Sequence, residues 1–369
     1  MVFLGTPQVA ANALRKLVEN EASCSVPYEV VGVVSQPRKG RGRGRKRGEE
    51  LPPTPVEAEA LRCGFGSGNE RAILAPETCS SERFLEEMVS LRPDLCVTAA
   101  YGKMLPSAFL SIPRYGTLNV HPSLLPRWRG AAPVQRNIGA GDDELGVSLA
   151  YTVLKCDAGP VLASESVPND GRISAPEALD MLFERGTDML VREMPGALTG
   201  EAMDRAVPQD ESQVVRAEKI TTAEAVLDCS LPAAMLHNTV RAFAGWPGAK
   251  MRMSFRDTNA SGDDSSGSSS TDGIASEPIV EVKLLRTEVA ARRAGGGTGA
   301  GTVSCADGRI HVTCGDGNVL AIHQLQVPGK RAMEARDFIN GLGEKKIVVV
   351  GTSKTAEAET SAAAASTVV

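Results

Sequence analysis

Residues 116–136 read GTLNVHPSLLPRWRGAAPVQR, and the first seven of them decide what kind of fold carries the chemistry. GTLNV is a short β-branched run and predicts a strand, on which Asn119 and His121 project to the same face. Pro122 cannot donate to a ladder and ends the pairing, leaving both polar side chains at the C-terminal edge of that strand. Working outward, VFLG (2–5), EVVGVV (29–34) and DLCVTAAYG (94–102) are runs of the same kind, separated by helical or loop stretches such as AANALRKLVEN. This alternation predicts an α/β parallel sheet with crossover helices, whose ligands sit at the carboxyl edge of the strands.

Residues 175–205 predict helix, with LDMLFERGTDMLVREM carrying apolar positions three and four apart. From about residue 210 the pattern changes to short runs punctuated by turn residues: VVRAEKI, AVLDCS, AKMRMSF, PIVEVKLL, RIHVTCGDG and NVLAIHQLQ. They predict a small β-barrel or sandwich, interrupted by one helix at AAMLHNTVRAF (233–243). Residues 258–273 and 290–301 are Gly/Ser-rich with little to bury and are expected to be disordered insertions, as is the tail 351–369. The expected organisation is a catalytic domain over 1–207 and a barrel domain over 208–350.

The 369 residues carry a formal net charge of −5, yet 38–47 read RKGRGRGRKR, seven positive charges without an acid. Attraction for polyanions is therefore concentrated in one place while the remainder is acidic. An aromatic content of 4% argues against an aromatic-stacking RNA module as the main body. Eight cysteines are scattered without a CxxC, which favours reduced thiols in an intracellular or organellar setting and predicts no structural metal. No apolar run approaches the ~18–20 residues of a membrane helix. The chain opens on MVFLGTP, so either it has no targeting segment or the sequence starts downstream of one.

An amide beside an imidazole suits acyl transfer: Asn119 can stabilise the oxyanion formed when an amine attacks a carbonyl carbon, and His121 can move the proton. An acid to orient and charge the ring is still needed, and Asp157 in KCDAGP is the candidate. Taken alone, Asn-x-His is a weak signal, and a satisfied structural histidine is the commoner occurrence.

The stretch NVHPSLLPRWRGAAPVQRNIGAGDDELGVSLAYTVLKCDAGPVL resembles the folate-dependent formyltransferase family, and the likeness extends from VFLGTP to LQVPGKRAMEARDFINGLG. LLPRWRGAAPVQR, the basic loop, RAFAGWPGA, CGDG and LQVPGKRAM are similar to the methionyl-tRNA branch of it. The resemblance implies a Rossmann-like formyltransferase domain followed by an OB-like β-barrel, with Asn119, His121 and Asp157 as the catalytic group. It implies 10-formyltetrahydrofolate as formyl donor, bound along Ala99, Ala100, Tyr101 and Gly102, with Ser123, Leu124, Leu125 and Pro126 beside the reaction centre. Ser123 to Pro126 could instead be only a rigid turn, and for Leu124 and Leu125 core packing is an equal expectation. The acceptor implied is methionyl-initiator tRNA, whose acceptor arm meets the basic loop 38–50 through Arg38, Arg41, Arg43, Arg45, Lys46 and Arg47. Acceptors left open are a small amine such as a nucleotide sugar, or RNA bound without catalysis. Trp246 in AGWPGA could stack a base, but a packed hydrophobic turn is the expected role. Formylated initiator tRNA belongs to bacterial-type translation, so the expectation is a monomer working in a mitochondrion or, alternatively, a plastid, with no membrane association. Cys156 stands where the family generally has a bulky aliphatic residue, and Leu154 replaces a more polar one.

Overall fold

β1 (Val2–Gly5) is buried along its length and lies at the centre of a parallel sheet. After α1 (Gln8–Asn20) the chain adds β2 (Gly32–Val34), α2 (Pro55–Arg62), β3 (Ala72–Leu74), α3 (Glu82–Ser90), β4 (Cys96–Ala99), α4 (Ser107–Leu110) and β5 (Thr117–His121). α1 buries Val9, Ala10, Ala13, Leu14 and Leu17, the one-sided spacing expected of a helix covering a sheet. β2 and β4 pair with opposite edges of β1, so strand order reverses there and a crevice opens outside the carboxyl ends of β1 and β4.

The computed structural model describes residues 1–39, 51–66, 71–257, 278–291 and 299–350. The insertion expected at 258–273, most of that at 290–301, the tail 351–369, and Arg41, Arg43, Arg45, Lys46 and Arg47 lie outside the described residues.

Beyond β5 the sheet departs from the all-parallel expectation. β6 (Arg129–Gly130) and α5 (Pro133–Ala140) lead to β7 (Glu144–Tyr151), which runs antiparallel to β5, and β8 (Val161–Pro168) is antiparallel to β7. The order is β3-β2-β1-β4-β5-β7-β8. An antiparallel pair needs only a short loop, and that loop, 152–160, carries Asp157. α6 (Ala175–Thr199) and α7 (Glu201–Arg205) follow. β9 (Arg216–Ala217), from the run VVRAEKI that was grouped with the barrel strands, pairs in parallel with β6. One compact unit accordingly comprises Met1–Asn137, Asp143–Asn169 and Pro176–Lys219.

The second unit takes Ile138–Asp142, Asp170–Ala175 and the chain from Ile220 onward. It contains α8 (Ala233–Ala242), β10 (Lys250–Asp257), β11 (Val280–Ala290), β12 (Val303–Ala306), β13 (Arg309–Thr313), β14 (Val319–Gln326), β15 (Met333–Glu334), α9 (Ala335–Leu342) and β16 (Lys345–Val349). The antiparallel order is β12-β13-β14-β11-β10-β16, with the end strands β12 and β16 against each other, as in an OB-like barrel. Met251 and Met253, Val282 and Leu284, Ile310 and Val312, and Leu320 and Ile322 alternate into one core, the period-2 pattern of strands with one buried face. Trp246 does not pack as expected: it is 56% exposed.

The stem of the basic loop is clamped at both ends. Ser35 Oγ, just after β2, lies 2.6 Å from Thr54 Oγ1, and Thr54 caps α2 by accepting the Glu57 N–H at 3.1 Å. Such a cap is worth about 1 kcal/mol. Arg38 grips Glu57 through Nε at 2.9 Å and a terminal nitrogen at 2.6 Å, and also donates to the Leu51 carbonyl. Its guanidinium is thus engaged where the loop leaves the fold.

Candidate active site

β4 and β5 bring Thr98 and Asn119 into register as neighbours on parallel strands. The Thr98 hydroxyl donates to Asn119 Oδ1 at 2.7 Å. That bond sets the orientation of a planar amide whose two ends point in opposite directions. Oδ1 is held at the sheet by this bond, which leaves the Nδ2 donors unclaimed by it, and Asn119 lines the cavity described below.

His121, two residues on, is 4% exposed. Its Nε2 lies 3.1 Å from the Trp128 carbonyl oxygen. A carbonyl only accepts, so Nε2 carries a proton and the ring is fixed with Nδ1 on its other side. Nδ1 stands 3.7 Å from Asp157 Oδ1. Trp128 therefore orients the ring, and the carboxylate faces Nδ1 across a gap slightly too long for a direct hydrogen bond.

Asp157 is itself held on several sides. Gly130 N–H donates to Oδ2 at 3.0 Å, and the Cys156 thiol lies 3.4 Å from the same oxygen. Burial, followed by the charge of Asp157, pushes the Cys156 thiol up to about 11, so it remains protonated and able to donate. Gln209 Nε2 donates to the carbonyls of Asp157 at 2.8 Å and Gly159 at 2.6 Å. Two glycines make this packing feasible. Gly130 has φ +133°, and a Cβ there would lie 2.6 Å from the Ala217 carbonyl oxygen, while one on Gly159 would lie 1.7 Å from the Tyr151 oxygen. Ala100, Trp128 and Asp157 adopt left-handed backbone at φ +46°, +65° and +50°. Such conformations persist only where the surroundings over-determine them, and they cluster at functional sites.

These groups border a cavity of about 490 Å³ at the carboxyl ends of β4 and β5, within the ordinary range for small-molecule sites. Ala100, Tyr101 and Gly102 form part of its wall. The Tyr101 hydroxyl points away to Cys79 Sγ at 3.3 Å, and burial raises its pKa. The Tyr101 carbonyl accepts from Thr6 Oγ1 at 3.1 Å and Gln36 Nε2 at 2.9 Å, which ties the wall to the stem of the basic loop. Leu179 and Phe183 of α6 supply apolar surface.

The structure does not bring every expected residue to the cavity. Ala99 ends β4, buried between Gly5 and Val120 in the sheet, and is not part of the lining. Ser123, Leu124, Leu125 and Pro126 form a turn behind the lining. The Ser123 hydroxyl donates to the Arg127 carbonyl at 2.7 Å, and the Leu124 side chain packs over Gly146. Leu125 N–H donates to Ser148 Oγ at 3.1 Å, and Ser148 donates to the Ser123 carbonyl at 2.8 Å. Their contribution is to hold His121 and Trp128 in relation to each other. Thr98, Trp128, Gly130, Ser148 and Gln209 were missed by the reading of motifs. Of these only Thr98 carried a signal, as a polar residue inside an apolar strand run. Among the described residues, no three His, Cys, Asp or Glu side chains converge as a metal-binding group.

Comparison with known proteins agrees with this geometry. Residues 1–194 match the family model for formyl transferases, and residues 219–343 match that for the formyl transferase C-terminal domain. The methionyl-tRNA formyltransferase of Methylococcus capsulatus is 38% identical over 345 residues, covering 92% of this chain and 96% of its own. That of Pseudomonas fluorescens is 34% identical over 359 residues, covering 97% and 98%. The solved N-formyltransferase of Helicobacter canadensis superposes with a TM-score of 0.54 at 11% identity, over 87% of this chain and 97% of that one, a likeness of fold. With both domains matched and relatives aligned from end to end, the chain belongs to the formyltransferase family, in its methionyl-tRNA formyltransferase branch.

Proposed function

We propose that this protein moves the formyl group of 10-formyltetrahydrofolate to the α-amino group of methionyl-initiator tRNA, using Asn119, His121 and Asp157. The observation that carries the reading is the convergence of an oriented amide, an imidazole and a carboxylate at one cavity. The amine lone pair attacks the formyl carbon, forming the new C–N bond and placing charge on the formyl oxygen. Asn119 Nδ2 is the donor for that oxyanion, a role worth about 10²–10³ in rate. His121 Nδ1 takes the proton released by the amine, and the charge on Asp157 stabilises the imidazolium. The oxyanion collapses, the bond to N10 of the folate breaks, and the same proton passes to N10.

The acceptor is inferred from the branch to which the chain belongs and from the seven positive charges of 38–47, a composition suited to phosphates. The setting we propose is a mitochondrion, or alternatively a plastid, with the protein acting as a monomer. Purified protein given 10-formyltetrahydrofolate and either methionyl-initiator tRNA or an amino sugar nucleotide tests the acceptor. Formylation of the charged tRNA alone is expected. Transfer only to the sugar, or to neither, would overturn the reading.

A further inference from the structure

We propose that Gln209 is a positioning residue for Asp157, acting through the backbone of the loop that carries it. The inference rests on the catalytic reading of Asp157 given above. Gln209 is half-buried, and its amide is engaged at both ends. Nε2 donates to the Asp157 and Gly159 carbonyls, while Oε1 accepts from Arg129 Nε at 2.9 Å. Arg129 is fully buried and is held in turn by Glu211 Oε1 at 2.9 Å. The other oxygen of Glu211 lies 2.5 Å from Lys155 Nζ. The segment 209–211 thus grips the catalytic loop at two points, at Lys155 through charge and at 157–159 through hydrogen bonds.

β6 completes the arrangement. Its Arg129 orients Gln209, and its Gly130 holds the Asp157 carboxylate directly. One strand therefore controls both the backbone and the side chain of the acid. The left-handed backbone of Asp157, at φ +50°, is less favourable for an L residue than ordinary backbone, and the two hydrogen bonds of Gln209 help to hold the loop there. Without the two donors of Gln209, the loop is free to relax towards ordinary backbone, and the carboxylate drifts from its place facing His121 Nδ1. A displacement of about 1 Å at a catalytic group can cost on the order of a hundredfold.

Two variants separate positioning from simple packing. Gln209→Glu keeps the length of the side chain and the acceptor for Arg129 but loses the Nε2 donors. Gln209→Met removes both polar ends. For each, kcat and KM for methionyl-tRNA formylation are measured together with Tm, and Gln209→Met is also made in an Asp157→Asn background. A fall in kcat of about ten- to a hundredfold is expected in both single variants, with KM and Tm little changed. No further fall is expected once Asp157 is asparagine, because the two residues act as one unit. Wild-type kcat in the single variants would overturn the proposal. So would a loss of unchanged size in the Asp157→Asn background, or one explained by a lower fraction of folded protein. Full activity of Asp157→Asn alone would instead overturn the reading of Asp157.

Discussion

Replacing Thr98 by valine keeps the shape of the side chain on β4 and removes only the hydroxyl that donates to Asn119 Oδ1 at 2.7 Å. Two consequences bound the effect. A neutral hydrogen bond contributes about 0.5–1.5 kcal/mol net, so its loss alone lowers the population of the correctly oriented amide by roughly two- to twelvefold. If the amide turns to find another donor for Oδ1, Nδ2 leaves the oxyanion position entirely, and the penalty approaches the ~3 kcal/mol of losing an oxyanion donor. The expected fall in kcat therefore lies between about twofold and a hundredfold. KM for the folate should change little, because Thr98 holds an atom that matters in the transition state rather than in binding. Thr98→Ser, which retains the hydroxyl, should recover most of the rate. The assay is single-turnover formylation of methionyl-tRNA at saturating folate, so that product release does not mask chemistry. Unchanged single-turnover rates in Thr98→Val, alongside a clear defect in Asn119→Ala, would refute the idea that Thr98 orients the amide.

Gly130→Ala would drive a Cβ into the Ala217 carbonyl oxygen and disturb the N–H that holds Asp157, so lower kcat and a lower Tm are expected together; a variant normal in both would show that β6 and β9 have room to part. Neutralising Arg41, Arg43 and Arg45 should weaken tRNA binding and flatten its dependence on salt while leaving folate affinity intact, checked by filter binding at several ionic strengths. Burial would raise the pKa of Glu59, but hydrogen bonds from Arg62 and Arg15 outweigh it and hold the carboxyl below its ordinary value of 4.5. A depressed carboxylate pKa stabilises the fold above the unfolded value, and that contribution is lost as pH falls through the folded one. Glu59→Gln should therefore destabilise clearly at pH 7 and progressively less below about pH 4 in urea unfolding.

The face shared by Asn119 and His121 was legible because a strand repeats every two residues and Pro122 marks its end. The order of VFLG, EVVGVV and DLCVTAAYG likewise carried the parallel sheet. Asp157 was legible as an acid in the turn KCDAGP, but nothing local says that loop 152–160 returns to face His121, and its place in the catalytic group came from the resemblance. The partners that orient the three side chains were harder still to see. Trp128 and Gly130 act through a carbonyl and an N–H, which have no signature in residue identity, and Gln209 lies 52 residues from the acid it supports. VVRAEKI has the composition of a barrel strand, yet tertiary pairing places Arg216–Ala217 against β6, beside the candidate active site. Register, which made Thr98 a neighbour of Asn119, is a property of two strands and is written in neither alone.

Proton transfer at His121, whose ring is held by the Trp128 carbonyl, is the central step of the proposed chemistry. The most direct measurement is the single-turnover rate of formyl transfer to methionyl-tRNA by His121→Ala at saturating substrates, beside the folate dissociation constant of the same variant. A loss of about 10²–10⁴ in rate with folate binding largely preserved is the predicted result. A rate within a factor of about two of the parent would contradict it, since a general base contributes far more than that.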